Sequence, residues 1–74
     1  MPKAYSAKKV ILVLYRAGFS IISQRGSYIK LHKKVGAKNY TAIVPNHKEI
    51  AIGTFKSILR QAGMSKEEFE KFIK

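Results

Sequence analysis

The sequence contains no cysteine and no aspartate, and its only acidic side chains are Glu49, Glu67, Glu68 and Glu70. Without cysteine, a disulfide framework, a thiolate zinc site and a cysteine nucleophile are excluded. Two histidines and four glutamates are too few for a rich metal cluster, so neither a metal nor another cofactor is expected. Long apolar runs are also missing. The longest, Val10 to Tyr15, belongs to a helical pattern, and nothing approaches the about 18 apolar residues that a membrane span needs. The opening MPKAYSAKK is charged and lacks an apolar stretch ending in a small-residue cleavage site. The expectation is therefore a chain without a signal peptide, at work in the cytoplasm. Low-complexity linkers and internal repeats are absent too, so residues 1–74 read as one domain.

What is abundant is positive charge. Lysine and arginine number 15 against the 4 acids, a formal net charge of +11. So large an excess in so short a chain calls for an anionic partner, whether nucleic acid, an acidic protein or a membrane surface. The membrane reading is the weakest of these, because the first helix spends its apolar stripe on the core. Hydrophobic residues make up 46% and aromatics 11%. That suffices for a modest core with a folding margin of a few kcal/mol, and it argues against disorder.

The spacing predicts a first helix over 7–17, N-capped by Ser6, with Ala7, Val10, Ile11, Leu14 and Ala17 on its apolar stripe. Gly18 stands where a left-handed cap belongs. The period then drops to two. A strand is predicted over 19–24, with Phe19 and Ile21 on one side and Ser20 and Gln24 on the other. After the Gly26-Ser27 turn comes a strand over 28–34. Ile29 and Leu31 point one way there, and Tyr28, Lys30, His32 and Lys34 the other. A turn from Val35 to Lys38 leads to a third strand over 39–44, with Tyr40, Ala42 and Val44 on one face and Thr41 and Ile43 on the other, ended by Pro45. Beyond a loop from Asn46 to Ile52, a second helix starts at Gly53 or Thr54, carries Phe55, Ile58, Leu59 and Ala62, and closes at Gly63. Ser65 and Glu68 form a capping box for a last helix over 66–73, with Phe69, Phe72 and Ile73 on its apolar side. All five glycines fall at element boundaries, where positive φ is useful. The sum is an α+β domain of order α-β-β-β-α-α: a three-stranded antiparallel meander with helices on one face and an open second face.

That open face is the natural place for function. Arg25, Lys30, Lys33, Lys34 and Lys38 fall within a short stretch holding no acid, and tyrosines stand ready to stack on bases. Charge runs are usually solvated surface, but here no acids neutralise them. His32 and His47 are candidate acid–base groups, since an imidazole titrates near about pH 6.5; each could equally be a plain surface or loop residue. Gly53-Thr54 at a helix start could cradle a phosphate, a weak signal alone. The phenylalanines are most simply core.

Three linked segments carry a family likeness: Gln24-Arg25-Gly26-Ser27-Tyr28-Ile29-Lys30-Leu31, then Ile43-Val44-Pro45-Asn46-His47, then Gly53-Thr54-Phe55 with Ile58-Leu59-Arg60-Gln61-Ala62-Gly63. Their order and spacing, with the closing Ser65…Glu68-Phe69, resemble the HicA (YcfA-like) toxin family over essentially the whole chain. The resemblance implies a fold like that of double-stranded-RNA-binding domains and an endoribonuclease that cleaves mRNA independently of ribosomes and of metal. It also implies a HicB-type antitoxin as partner; that this partner is acidic is an inference from the charge. Arg25, Lys30, His32, Lys33, Lys34 and Lys48 are the expected RNA contacts. His47 matches the family's Pro-x-His element and is either a site residue or a brace for its loop.

One position departs from the family. Where the Gly-Ser pair is followed by the histidine taken as catalytic, this chain has Tyr28. Cleavage needs a base for the 2′-OH and an acid for the leaving oxygen. A phenol, with a reference pKa of about 10, is a poor base near neutrality, although it can position a phosphate or donate a proton. Tyr28 could mark a variant that binds RNA and cleaves little, a selected inactivation, or a transfer of the chemistry to His32. The last is strained, because four residues along a strand span about 13 Å at roughly 3.3 Å each.

Overall fold

The computed structural model describes residues 5–73. The leader reading of the N-terminus begins in residues 1–4, outside the described residues. In chain order the elements are α1 (Ala7–Arg16), β1 (Ser20–Arg25), β2 (Tyr28–Val35), β3 (Lys38–Pro45), α2 (Ile52–Ala62) and α3 (Lys66–Lys71). The strands form one antiparallel sheet with β2 in the centre, and the order and architecture are those expected.

Local chemistry sets the helix ends. Ser6 Oγ accepts the Lys9 N–H at 3.1 Å and starts α1. Gly18, at φ +105°, stops it. Its N–H reaches the Tyr15 carbonyl, and the next N–H, of Phe19, reaches that of Leu14. Gly63 at φ +66° ends α2 by the same pair of bonds, with Met64 N–H on Leu59 O, and the Tyr40 ring lies where a side chain at Gly63 would go. The expected capping box is present in α3. Ser65 N–H donates to Glu68 Oε1 at 2.9 Å, and Glu68 N–H to Ser65 Oγ at 3.1 Å. The Ser65 backbone N–H, and after it the Ser65 hydroxyl, hold the Glu68 carboxyl below its ordinary range.

The core lies between the helices and one face of β2 and β3. Val10, Val13 and Leu14 from α1 meet Leu31, Ala42 and Val44 from the sheet and Ile58 from α2. Tyr5, Phe55 and Phe69 cluster with ring centroids 4.9 to 5.2 Å apart. Arg16 ties the end of α1 to the carbonyls of Phe72 and Ile73.

Several boundaries and faces differ from expectation. Helix α1 ends at Arg16, with Ala17 as its cap, and Val13, absent from the expected stripe, is fully buried. Strand β1 is shifted to Ser20–Arg25. Phe19 is buried just before it, whereas every residue of the strand is exposed. Ile21 pairs with Leu31 and so shares the core-facing side, yet it is 55% exposed because the helices do not reach across to β1. A bulge at Ile22 then resets the alternation. Gln24 pairs with Ile29 on the helix side, not on the polar side expected for it. Pro45 is the last residue of β3, paired with Tyr28, rather than the residue after it. Helix α2 starts at Ile52, so Gly53 lies in its first turn without the positive φ expected there. Helix α3 closes at Lys71, leaving Phe72 and Ile73 half-buried beyond it.

Candidate active site

The bulge decides what faces the open side of the sheet. Beyond it, Arg25 pairs with Tyr28 and Ser23 with Lys30; across β2, Tyr28 meets Pro45 and Lys30 meets Ile43. Directly opposed residues share a face. A shallow groove of about 410 Å³, lined by Ser23, Arg25, Tyr28, Lys30 and Ile43, follows from this register. Two cations thus flank an exposed tyrosine.

Further along the same face are His32 and Lys34. His32 Nε2 and the Asn39 side-chain amide lie within hydrogen-bond distance, at 3.0 Å. Lys33 belongs elsewhere. It pairs with Tyr40 on the helix side, its ammonium lies 5.7 Å from the centre of the Phe19 ring, and it is close to Gly18. Lys33, expected as an RNA contact together with its neighbours in the chain, thus lies on the opposite side of the sheet from Lys30 and Lys34. Lys38, opposite Val35, has the same orientation as Lys33 at the far end of the hairpin.

The second hollow is larger. A cleft of about 510 Å³ opens between the end of β3, the 46–51 loop and α2. Tyr28, His47, Glu49, Thr54, Ser57 and Gln61 supply its polar groups, and Ile43, Pro45, Ala51 and Ile58 its apolar wall. Lys48, although exposed between His47 and Glu49, is not part of the lining. Among the described residues, none of those lining this cleft is lysine or arginine. Tyr28 and Ile43 belong to both hollows, so the cationic groove runs into the uncharged-to-acidic cleft across the tyrosine ring.

Backbone bonds fasten the loop that carries His47 and Glu49. Asn46 N–H donates to Ser27 O in the β1–β2 turn, and His47 N–H to Pro45 O. The His47 carbonyl accepts the first helical N–H of α1, from Ala7, at 2.9 Å. Ile50 N–H reaches Tyr5 O at 2.8 Å, and Ile50 is buried. On the other wall, Ser57 Oγ donates to Gly53 O at 3.2 Å, and Gln61 Oε1 accepts the Ile43 N–H at 2.9 Å. Two expected site residues, Tyr28 and His47, therefore line one cleft, while His32 stands outside it. Glu49, Ser57 and Gln61 were not singled out as cleft residues by sequence reasoning. The one signal available for Glu49 was its isolation, as the only acid outside the α3 segment.

No helix among the described residues is long and apolar enough to cross a membrane. No curated protein matches the sequence. A family model described as the HicA toxin of bacterial toxin–antitoxin systems matches residues 7–64, from the start of α1 to just beyond α2, and so includes both hollows. The chain belongs to the HicA toxin family, the toxin half of a bacterial toxin–antitoxin pair.

Proposed function

We propose that this chain is an RNA-acting toxin of the mRNA-interferase class, an endoribonuclease whose cleavage is slowed by the tyrosine at position 28. One observation carries the reading: the groove holding Arg25 and Lys30 and the cleft holding His47 meet at Tyr28. Arg25, Lys30 and, further along, Lys34 take the phosphates of a single strand, and counterion release drives the association. Lys48 adds a cation beside the cleft. Tyr28 donates its hydroxyl proton to a non-bridging phosphate oxygen and fixes the scissile linkage at the cleft mouth, but it removes a 2′-OH proton poorly. An acidic, HicB-type antitoxin laid over the same face would mask these charges in the cytoplasm and account for a cell's tolerance of the toxin. A second reading, an RNA-binding module without cleavage, is favoured by the same tyrosine.

The deciding experiment compares the chain with its Tyr28→His variant on labelled mRNA in the presence of EDTA. A histidine at this position should raise the cleavage rate by about 100-fold or more, the usual yield of one acid–base group. A variant as inert as its parent would leave the binding-module reading. The RNA surface has its own test. Lys30→Glu with Lys34→Glu should weaken binding and flatten its salt dependence by about 0.7 in log–log slope per lost single-strand phosphate contact. Lys33→Glu, on the other side of the sheet, should do much less. Equal effects from the two would remove the open face from the argument.

A further inference from the structure

The position of Glu49 calls for a chemical reason. Three of the four acidic residues lie on α3, and the fourth lines the cleft shared by Tyr28 and His47. A carboxylate there repels the phosphodiester that the surrounding cations attract, and so lowers RNA affinity. We propose that Glu49 is the general base and His47 the general acid of this chain's own cleavage reaction, with Tyr28 holding the phosphate between them. The inference rests on the RNA-cleaving reading above and names the groups that carry the chemistry when position 28 is not histidine.

The step balances without a co-reactant. Glu49 takes the proton of the ribose 2′-OH as the 2′-oxygen attacks phosphorus. The P–O5′ bond breaks, and the leaving 5′-oxygen takes a proton from the protonated imidazole of His47. The products are a 2′,3′-cyclic phosphate and a 5′-hydroxyl end. The two side chains lie two residues apart on a loop whose backbone is bonded at Asn46, His47 and Ile50, so the carrier is held on both sides of the pair. Preorganisation of this kind is what acid–base catalysis requires. The competing explanation is structural. Glu49 precedes Ala51, the N-cap of α2, by two residues, and a negative charge suits that helix end.

The two explanations part on binding against turnover. Under single-turnover conditions, with protein in excess over a labelled RNA and EDTA present, Glu49→Gln should lower the cleavage rate by about 100-fold or more. Its RNA affinity should stay equal or rise, since a repelling charge is gone. Glu70→Gln on exposed α3 makes the same change in net charge and should leave the rate alone. His47→Gln should be as slow as Glu49→Gln on ordinary RNA. A substrate with sulfur in place of the bridging 5′-oxygen needs no acid for its leaving group, so it should rescue His47→Gln and not Glu49→Gln. Cleavage by Glu49→Gln at the parental rate would overturn the assignment, as would rescue of both variants by the sulfur substrate. An inert parent beside an active Tyr28→His variant would overturn it too, while leaving the nuclease reading intact. If neither of those two proteins cleaves, both readings fall.

Discussion

The two edges of the sheet are finished in opposite ways. Along β3, α2 packs close, Gln61 meets the Ile43 N–H, and the space left between strand, loop and helix is the cleft lined by His47 and Glu49. Along β1, among the described residues, no element covers the strand. Ile21 and Ile22 are each 55% exposed, and an apolar groove of about 320 Å³ runs between this strand and α1, bordered by Leu12 and Tyr15. Leu12, Tyr15, Ile21 and Ile22 thus leave an apolar surface about the β1 edge, whereas His47 and Glu49 stand by the β3 edge. The difference shows what a small domain needs for chemistry. Side chains proposed to react need backbone that is itself held, and among the described residues the β3 side provides it with its fastened loop and adjoining helix. The β1 edge is kept from regular strand pairing by its bulge and by Arg25.

The largest expected contrast between the edges is in stability. Ile58 on α2 is 1% exposed, and its truncation to alanine should cost about 2–5 kcal/mol, a transfer loss plus an unfilled cavity. In a chain this small that could abolish folding, and Ile58→Val, at about 0.5–1.5 kcal/mol, gives a measurable second point. Ile21→Ala, on the uncovered edge, should cost less than about 1 kcal/mol, because most of its surface is already in water. Urea denaturation of the three variants measures all of this. Equal losses for Ile21→Ala and Ile58→Ala would break the comparison, for they would mean that the β1 edge is covered in solution.

The same contrast marks how far the sequence could be read. Element order and most of the core were legible, because Val10, Leu14, Phe55, Ile58 and Leu59 recur at helical spacing and Ile29 and Leu31 at strand spacing. Alternation assigns a side chain to a face, but it does not say how far a helix extends over that face. Ile21, expected on the same side of its strand as the buried Phe19, is therefore on the core-facing side and still 55% exposed. Nor does it foresee a bulge, and here the bulge is consequential: uninterrupted alternation from Ile21 would send Arg25 to the helix side, whereas the extra residue brings it beside Tyr28. Lys33 was grouped with its neighbours by proximity in the chain, although the alternation of β2 itself places it opposite to them. The cleft was the least legible part. It joins β2, the 46–51 loop and two turns of α2, and only the tertiary fold makes Tyr28, Glu49 and Gln61 neighbours.

The smallest expected effect bears on how the β3 edge is closed. Gln61 Oε1 accepts the Ile43 N–H at an exposed position, where water can replace it, so Gln61→Ala should cost only about 0.5–1.5 kcal/mol, toward the lower end. Global stability is a blunt instrument for so small a change, and amide hydrogen exchange at Ile43 is a sharper one. Loss of the side-chain acceptor should speed exchange at that amide more than at Leu31 or Ala42, which lie at a cross-strand pair inside the core. An Ile43 amide that exchanges at the parental rate in Gln61→Ala would show that packing by α2, rather than this hydrogen bond, keeps water and foreign strands from the edge. The two edges would then differ only in what lies over them, and not in any bond made to the strand itself.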